Sequence, residues 1–145
     1  MEAEISLAAA RAVLAGAEAA WNAAGTPWDA TALARVYAPD ALFFGGRPGH
    51  AVGRDAVHGY FASYEGVILS GRMQLVDMHI VPLSARAFLA QGAVAFGFVL
   101  AGGEHTQSTL RATLLLMDEG DGWRLRQHHF SAPPAAPPLR TEPTR

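Results

Sequence analysis

The chain has 145 residues, of which half are apolar and 17% are charged, and this composition is typical of a single folded domain. Its formal net charge of −2 gives no sign of the basic surface with which proteins usually bind nucleic acids, so no nucleic-acid partner is expected. Cysteine is absent, which excludes disulfide bonds and thiolate metal ligands.

The N-terminal segment is rich in alanine, as signal sequences often are. Glu2 and Glu4 stand where a signal sequence has basic residues, and Arg11 interrupts the apolar run. No stretch reaches the roughly 18 uninterrupted apolar residues that a membrane-spanning helix needs. We therefore expect a cytoplasmic protein with no membrane partner.

Three helices are predicted in the first half of the chain. Residues 4–24 and 54–65 carry apolar side chains at spacings of three and four, as amphipathic helices do. A shorter helix is predicted for residues 28–38, with Thr26 as its N-cap. Pro39 should end this helix, because proline disfavours helical geometry in the residue before it.

Strands are predicted in the middle of the chain and become longer beyond the third helix. Residues 41–44 form a short candidate, and residues 73–81 show the two-residue alternation of a strand. Residues 88–100 form a long apolar strand in which Gly92 and Gly97 predict a bulge or a bend.

Residues 111–131 are predicted to form two strands joined by an acidic, glycine-containing turn at residues 118–122. This hairpin brings the cation of Arg111 close to the imidazoles of His128 and His129. Adjacent residues on a strand point to opposite faces, so the two histidines cannot both line one cavity.

The order of these elements, with helices ahead of a run of strands joined by short connections, indicates an α+β domain. A strongly bent sheet wrapped around three helices would enclose a cavity, which is the usual place for a small ligand. The domain is expected to span residues 1–131. Residues 132–145 are rich in proline and are expected to form an extended, mobile tail.

Several short motifs occur in a characteristic order between residues 15 and 133. They are Trp21-Asn22, Leu33, Tyr37-Ala38-Pro39-Asp40-Ala41, Gly53-Arg54-Asp55-Ala56-Val57, Tyr60-Phe61, Arg111-x-Thr113, Trp123 and His129-x-Ser131. With these motifs the chain resembles the nuclear transport factor 2-like superfamily, and within it the SnoaL-like group of the SgcJ/EcaC type. It is also similar, more distantly, to the association domain of calcium/calmodulin-dependent kinase II.

The resemblance implies a cone-shaped α+β barrel, with a strongly bent, mostly antiparallel sheet wrapped around three N-terminal helices. It also implies a homodimer formed through the open face of the sheet. Activity stays open, because the superfamily includes isomerases, cyclases, dehydratases, binding proteins and assembly domains.

One role implied by the resemblance does not transfer to this sequence. Ketosteroid isomerase and related polyketide cyclases use a carboxylate base on the strand after the Tyr-Ala-x-Asp-Ala motif. Alignment on Asp40-Ala41 puts Gly45 at that position, and Trp21 where the isomerase has a helix tyrosine. Glycine cannot abstract a proton, so a base would have to lie elsewhere.

Three residues are candidates for acid–base catalysis. His129 could act as general acid or base if it faced a cavity, or it could form a hydrogen bond across the sheet or at a dimer interface. Asp77 and His79 lie two residues apart on one predicted strand face, where the carboxylate would raise the pKa of the imidazole. The sequence would show the same pattern if the two residues were polar side chains on a sheet face exposed to water.

Arg111 is predicted to lie among apolar neighbours, where an unpaired charge would be costly. It would bind a ligand carboxylate or stabilise an enolate, or it would pair with an internal carboxylate such as Asp77. The aromatic residues that could line an apolar pocket, with a place in the core as the alternative for most of them, are Trp21, Trp28, Tyr37, Phe44, Tyr60, Tyr64 and Phe96. Of these, Trp21, Tyr37, Tyr60 and Phe96 are the predicted ligand-binding residues.

The histidines include no matched pair or HExxH motif, and no glycine-rich nucleotide fingerprint is present, so we expect neither metal nor cofactor. The leading hypothesis is a protein that binds a small apolar or aromatic, polyketide-like compound, with or without cofactor-independent cyclase or isomerase activity. The alternative is a non-catalytic dimerisation or assembly module with a vestigial pocket.

Overall fold

A computed structural model describes residues 3–140 of the chain. The helices are α1 (Leu7–Gly25), α2 (Ala30–Ala34) and α3 (Arg54–Ala62). The strands are β1 (Tyr37–Phe44), β2 (Ala51–Val52), β3 (Ile68–Ser84), β4 (Ala87–Leu100), β5 (His105–Asp118) and β6 (Trp123–Ser131). None of the helices in the described part is long and apolar enough to cross a membrane.

The six strands form one strongly curled sheet in the order β2-β1-β6-β5-β4-β3. Neighbouring strands are antiparallel except β1 and β6, which run parallel. The helices cover the inner face of this sheet, and the apolar core lies between the two layers. The predicted α+β class, with a bent and mostly antiparallel sheet, is confirmed.

Helix α1 is held against β3 by a polar contact as well as by its apolar face. Ser6 caps the helix, since its side chain accepts a hydrogen bond from the backbone N–H of Ala9 at 3.1 Å. Near the other end, the Asn22 side chain bonds to the backbone of Met73 in both directions, at 3.0 and 2.7 Å. This pair of hydrogen bonds sets the position of α1 along β3.

The prediction of a helix over residues 28–38 was wrong at both ends, because α2 has only five residues. Its N-cap is Asp29, whose carboxylate accepts a hydrogen bond from the N–H of Ala32 at 3.0 Å, and not Thr26. The chain is already extended at Tyr37. Pro39 is tolerated inside β1 because the pairing with β6 is irregular there, so no ladder hydrogen bond is lost.

A β-bulge interrupts the pairing of β3 with β4. Val76 pairs with Ala93 and the next regular pair joins His79 to Gln91, so one extra residue lies on β3. Asp77 lies in the bulge with φ of 51°. Opposite it, a Cβ atom on Gly92 would lie 2.7 Å from the backbone oxygen of Asp77, so only glycine fits. The irregularity expected at Gly92 therefore occurs on the partner strand.

A second bulge, at Arg126 in β6, determines which side chains of the last strand face inward. Leu116 pairs with Leu125 while its neighbour Leu115 pairs with Gln127, so Arg126 is the extra residue. Before the bulge Leu125 faces the core; after it the inward position belongs to His128, and both side chains are fully buried. Strict alternation from Leu125 would have put His129 inside instead.

The C-terminal tail follows β6 directly. Residues 132–140 form no helix or strand, as the proline content predicts. Residues 141–145, the rest of the predicted tail, lie outside the described residues.

Candidate functional site

A cavity of about 270 Å³ lies between the helices and the inner face of the sheet, and we call it the inner cavity. It is lined by the aromatic side chains of Trp21, Trp28, Tyr60, Phe61, Tyr64, Phe96, Phe98 and Phe130, and by Val67, Ile68, Leu100 and Leu110. Three of the four aromatic residues predicted to bind a ligand, Trp21, Tyr60 and Phe96, are in this lining. The fourth, Tyr37, is buried behind it.

The aromatic walls of the inner cavity are packed against one another. Trp21 and Trp28 meet edge to face with ring centroids 6.1 Å apart, and Phe96 stacks on Phe98 at 5.6 Å. The indole N–H of Trp28 donates to the backbone oxygen of Phe61 at 3.0 Å, so this donor is already satisfied. The cavity therefore presents mainly ring faces and edges, which suit an apolar or aromatic guest.

Tyr60 supplies a hydroxyl at the edge of the inner cavity. Its oxygen accepts a hydrogen bond from the N–H of Gly46 at 2.8 Å. Burial raises the pKa of Tyr60 well above its ordinary value, so the phenol is neutral at physiological pH. A Cβ atom on Gly45 would lie 2.6 Å from this hydroxyl, so the position where the isomerase has its carboxylate has no room for one.

Behind the cavity, Tyr37 and His128 form a buried polar pair. The indole N–H of Trp21 donates to the Tyr37 hydroxyl at 3.3 Å, and that hydroxyl lies 2.7 Å from Nδ1 of His128. An indole nitrogen can only donate, so the phenol oxygen accepts from Trp21. The phenol donates its own hydrogen to Nδ1 in the tautomer that carries the proton on Nε2. Nε2 has no hydrogen-bond partner within residues 3–140.

Burial keeps this polar pair uncharged. It lowers the pKa of His128 to about 3, with a smaller contribution from the neighbouring His129. Burial also raises the pKa of Tyr37 above its ordinary value. The side chains of Tyr37, Tyr60 and His128 are thus neutral at physiological pH.

A second concavity of about 420 Å³ lies on the opposite, solvent-facing side of the sheet, and we call it the outer depression. His79, Gln91, Arg111, Thr113, His129 and Ser131 line it. The cross-strand register explains this grouping, because His79, Gln91, Thr113 and His129 are successive partners across β3 to β6. Gln91 donates to the Thr113 hydroxyl at 3.0 Å.

Two predicted catalytic residues and Arg111 therefore come together, but on the exposed face and not in the inner cavity. Within residues 3–140, no ion pair links Arg111 to Asp77 or to any other carboxylate. Asp77 lies in its bulge beside a separate surface groove that also contains Arg11 and Glu18. His79 borders both concavities. The catalytic roles proposed for His79, Asp77 and His129 stay predictions.

His128 is the residue that sequence reasoning missed. The signal was present, because two adjacent histidines on a strand must face opposite sides. The choice between them depends on which residues of β6 face the core, and the bulge at Arg126 shifts this alternation by one residue. Among residues 3–140, no three imidazole or carboxylate side chains are grouped as metal ligands.

The helices, the curled sheet and the cavity between them define a cone-shaped α+β protein. The chain belongs to the SnoaL-like domain family, whose family model matches residues 15–136. No curated protein matches the chain.

Solved structures show the same fold at low sequence identity. A nuclear transport factor 2-like superfamily protein from Salmonella enterica has 17% identity and a TM-score of 0.73, over 94% of this chain and 100% of that chain. A putative calcium/calmodulin-dependent kinase II association domain from Xanthomonas campestris has 20% identity and a TM-score of 0.73, over 88% and 87%. A ketosteroid isomerase-like protein from Erwinia carotovora has 21% identity and a TM-score of 0.64, over 84% and 96%.

Proposed function

We propose that the protein binds a small apolar or aromatic compound in the inner cavity. The observation that carries this proposal is the wall of aromatic side chains around a cavity of about 270 Å³. Small-molecule sites usually measure about 300–1,000 Å³ and are mostly apolar, so the ligand body should be compact, such as two fused rings. Neutral polar groups behind the wall favour an uncharged ligand body.

A more specific proposal is that the protein also catalyses a reaction by acid–base chemistry. The inner histidine is a poor general base, because a pKa of about 3 for His128 lies far from physiological pH. His129 and His79 line the outer depression, and Asp77 borders a separate surface groove. A cyclase or isomerase reaction that uses these exposed residues would therefore take place outside the inner cavity. Turnover of polyketide-like substrates by the wild type and by His129→Ala tests this, and equal rates would remove His129 from the mechanism.

Binding can be followed through the tryptophans of the cavity. The chain has three, and Trp123 packs on Phe88 away from the cavity, so Trp123→Phe leaves Trp21 and Trp28 as reporters. Titration with naphthylmethanol, a neutral aromatic probe, should then change the indole fluorescence and saturate. A fluorescence that does not respond, confirmed by calorimetry without heat of binding, would reject the proposed site for this class of ligand.

A matched pair of variants locates the probe. Val67 lines the inner cavity and Leu69 does not, although both side chains are 51% exposed. Val67→Phe should weaken naphthylmethanol binding about tenfold by narrowing the mouth, which corresponds to about 1.4 kcal/mol. Leu69→Phe should leave the Kd unchanged. Equal effects of the two substitutions would show that the probe binds elsewhere.

The outer face of the sheet supports a second role, formation of a homodimer. Val81 and Phe44 on this face are 53% and 41% exposed. Leu115 lies in the same cross-strand row as Val81, with Leu89 between them, on the side without helices. Exposed apolar patches of this kind are typical of protein interfaces. Leu115→Lys should convert a dimer into a monomer in sedimentation experiments, whereas Leu69→Lys should not. A wild-type protein that is monomeric at high concentration would contradict this proposal.

A further inference from the structure

Arg47 is held in one place beside the mouth of the inner cavity. Its Nε donates to the Ser63 hydroxyl at 3.0 Å, and its Nη2 donates to the Ser63 backbone oxygen at 3.3 Å. Its guanidinium carbon lies 4.3 Å from the ring centroid of Tyr64, a residue of the cavity lining. Ordering a long side chain costs conformational entropy, and here these contacts meet that cost before any ligand binds.

This cation has unused capacity to bind an anion. Within residues 3–140, ion pairs form at Arg86, Arg124 and Arg126 but not at Arg47. A guanidinium has five N–H donors, and the contacts with Ser63 use only its Nε and Nη2 groups. Donors that remain free on a fixed, planar group match the geometry of a carboxylate.

We infer that the compound bound in the inner cavity is an aromatic carboxylic acid whose carboxylate is held at the mouth by Arg47. This inference rests on the proposed binding function, and it identifies the class of ligand. The rings would occupy the aromatic cavity, and the carboxylate would stay at the exposed mouth, where it avoids the cost of burying a charge. A single guanidinium balances one negative charge, which favours a carboxylate over a phosphate.

The preference for an acid must come from this local contact. The protein as a whole carries a net charge of −2, so its overall field does not attract anions. Glu65 follows Tyr64 in the chain and is exposed, so solvent screens its repulsion. An exposed ion pair is worth little, and we therefore expect a selectivity of about fivefold rather than of several orders of magnitude.

The test compares two probes of equal ring size, naphthoic acid and naphthylmethanol, by calorimetry at neutral pH. The wild type should bind the acid about fivefold more tightly than the alcohol. Arg47→Met removes the charge and keeps much of the apolar stem, so it should abolish this preference without changing the Kd for the alcohol. Arg35→Met, at an exposed arginine beside a different groove, should behave like the wild type.

The outcomes separate this inference from the binding proposal. If neither probe binds the wild type, the proposed function fails. If the alcohol binds and the acid binds no more tightly, only the carboxylate inference is overturned. The carboxylate inference is also overturned if Arg47→Met weakens the binding of both probes equally, because Arg47 would then have a structural role in the loop. Loss of the preference in Arg35→Met would also overturn it, because the effect would then be one of net charge.

Discussion

Burial of His128 makes the stability of the fold depend on pH in a defined window. Its pKa is lowered to about 3 in the folded protein, whereas an unfolded chain has a histidine pKa of about 6.5. Between these values the unfolded chain binds a proton at His128 and the folded chain does not. The contribution of the neutral, buried His128 to stability is therefore fully present above about pH 6.5, and it is lost as the pH falls toward about 3.

The size of the loss follows from the same two pKa values. Each pH unit inside the window costs about 1.4 kcal/mol, since one proton separates the two states. Because the unfolded histidine is already half protonated at pH 6.5, acidification from pH 6.5 to 4.5 should remove about 2 kcal/mol of unfolding free energy. Because domains of this kind are stable by only about 5–15 kcal/mol, the effect is large enough to measure.

Urea denaturation at a series of pH values, with the wild type and His128→Leu, isolates this contribution. The variant should be less stable near pH 7, because Tyr37 loses its acceptor, but its stability should fall less steeply with acid. Carboxylates titrate in both proteins and cancel in the difference. We expect the difference in unfolding free energy between the two proteins to narrow by about 2 kcal/mol from pH 6.5 to 4.5.

The control for this experiment is His105→Gln, which changes an exposed imidazole at the start of β5. This variant should follow the wild-type curve at every pH. Parallel curves for the wild type and His128→Leu would refute the reasoning. They would mean that His128 is protonated as easily in the folded protein as in the unfolded chain.

Two further predictions concern single substitutions in the core and in α1. Tyr37→Phe removes the hydroxyl that contacts both Trp21 Nε1 and His128 Nδ1, and it should lower the unfolding free energy, measured by urea denaturation, by about 2–4 kcal/mol. In a His128→Leu background the same substitution should lower it by at least about 1 kcal/mol less. Strictly additive effects of the two substitutions would contradict the hydrogen bond between Tyr37 and His128. Gly16 has open space around it, so Gly16→Ala should raise the unfolding free energy by about 0.5–1 kcal/mol, because alanine favours a helix more than glycine does. Gly25→Ala should lower it by about 1–3 kcal/mol, because the added methyl group would clash with the Gly71 backbone oxygen. Melting temperatures of the two variants that change in the same direction would contradict this prediction.

Much of the fold was predictable from local patterns. The helices α1 and α3 follow from the spacing of apolar residues, and the last two strands follow from alternation around the turn at residues 118–122. The motifs between residues 15 and 133 indicated the family that the match over residues 15–136 confirms. Such signals are local or depend on order along the chain, so they survive without knowledge of tertiary contacts.

The short second helix was predicted with the wrong bounds for a physical reason. Tyr37 and Ala38 have side chains that suit a helix, but both are fully buried at the start of β1. The parallel pairing of β1 with β6 joins residues about 90 positions apart, as Tyr37 with Leu125. Tertiary pairing of this kind overrides local propensity.

The sequence by itself determined the α+β class and the order of its elements, because periodicity and composition are properties of neighbouring residues. Only the tertiary structure decided which histidine faces inward. One extra residue at Arg126 shifts the strand by one position, so His128 joins Tyr37 in the core and His129 joins Arg111 on the outer face. A bulge depends on how β5 and β6 pair across the sheet, which no local pattern in β6 specifies.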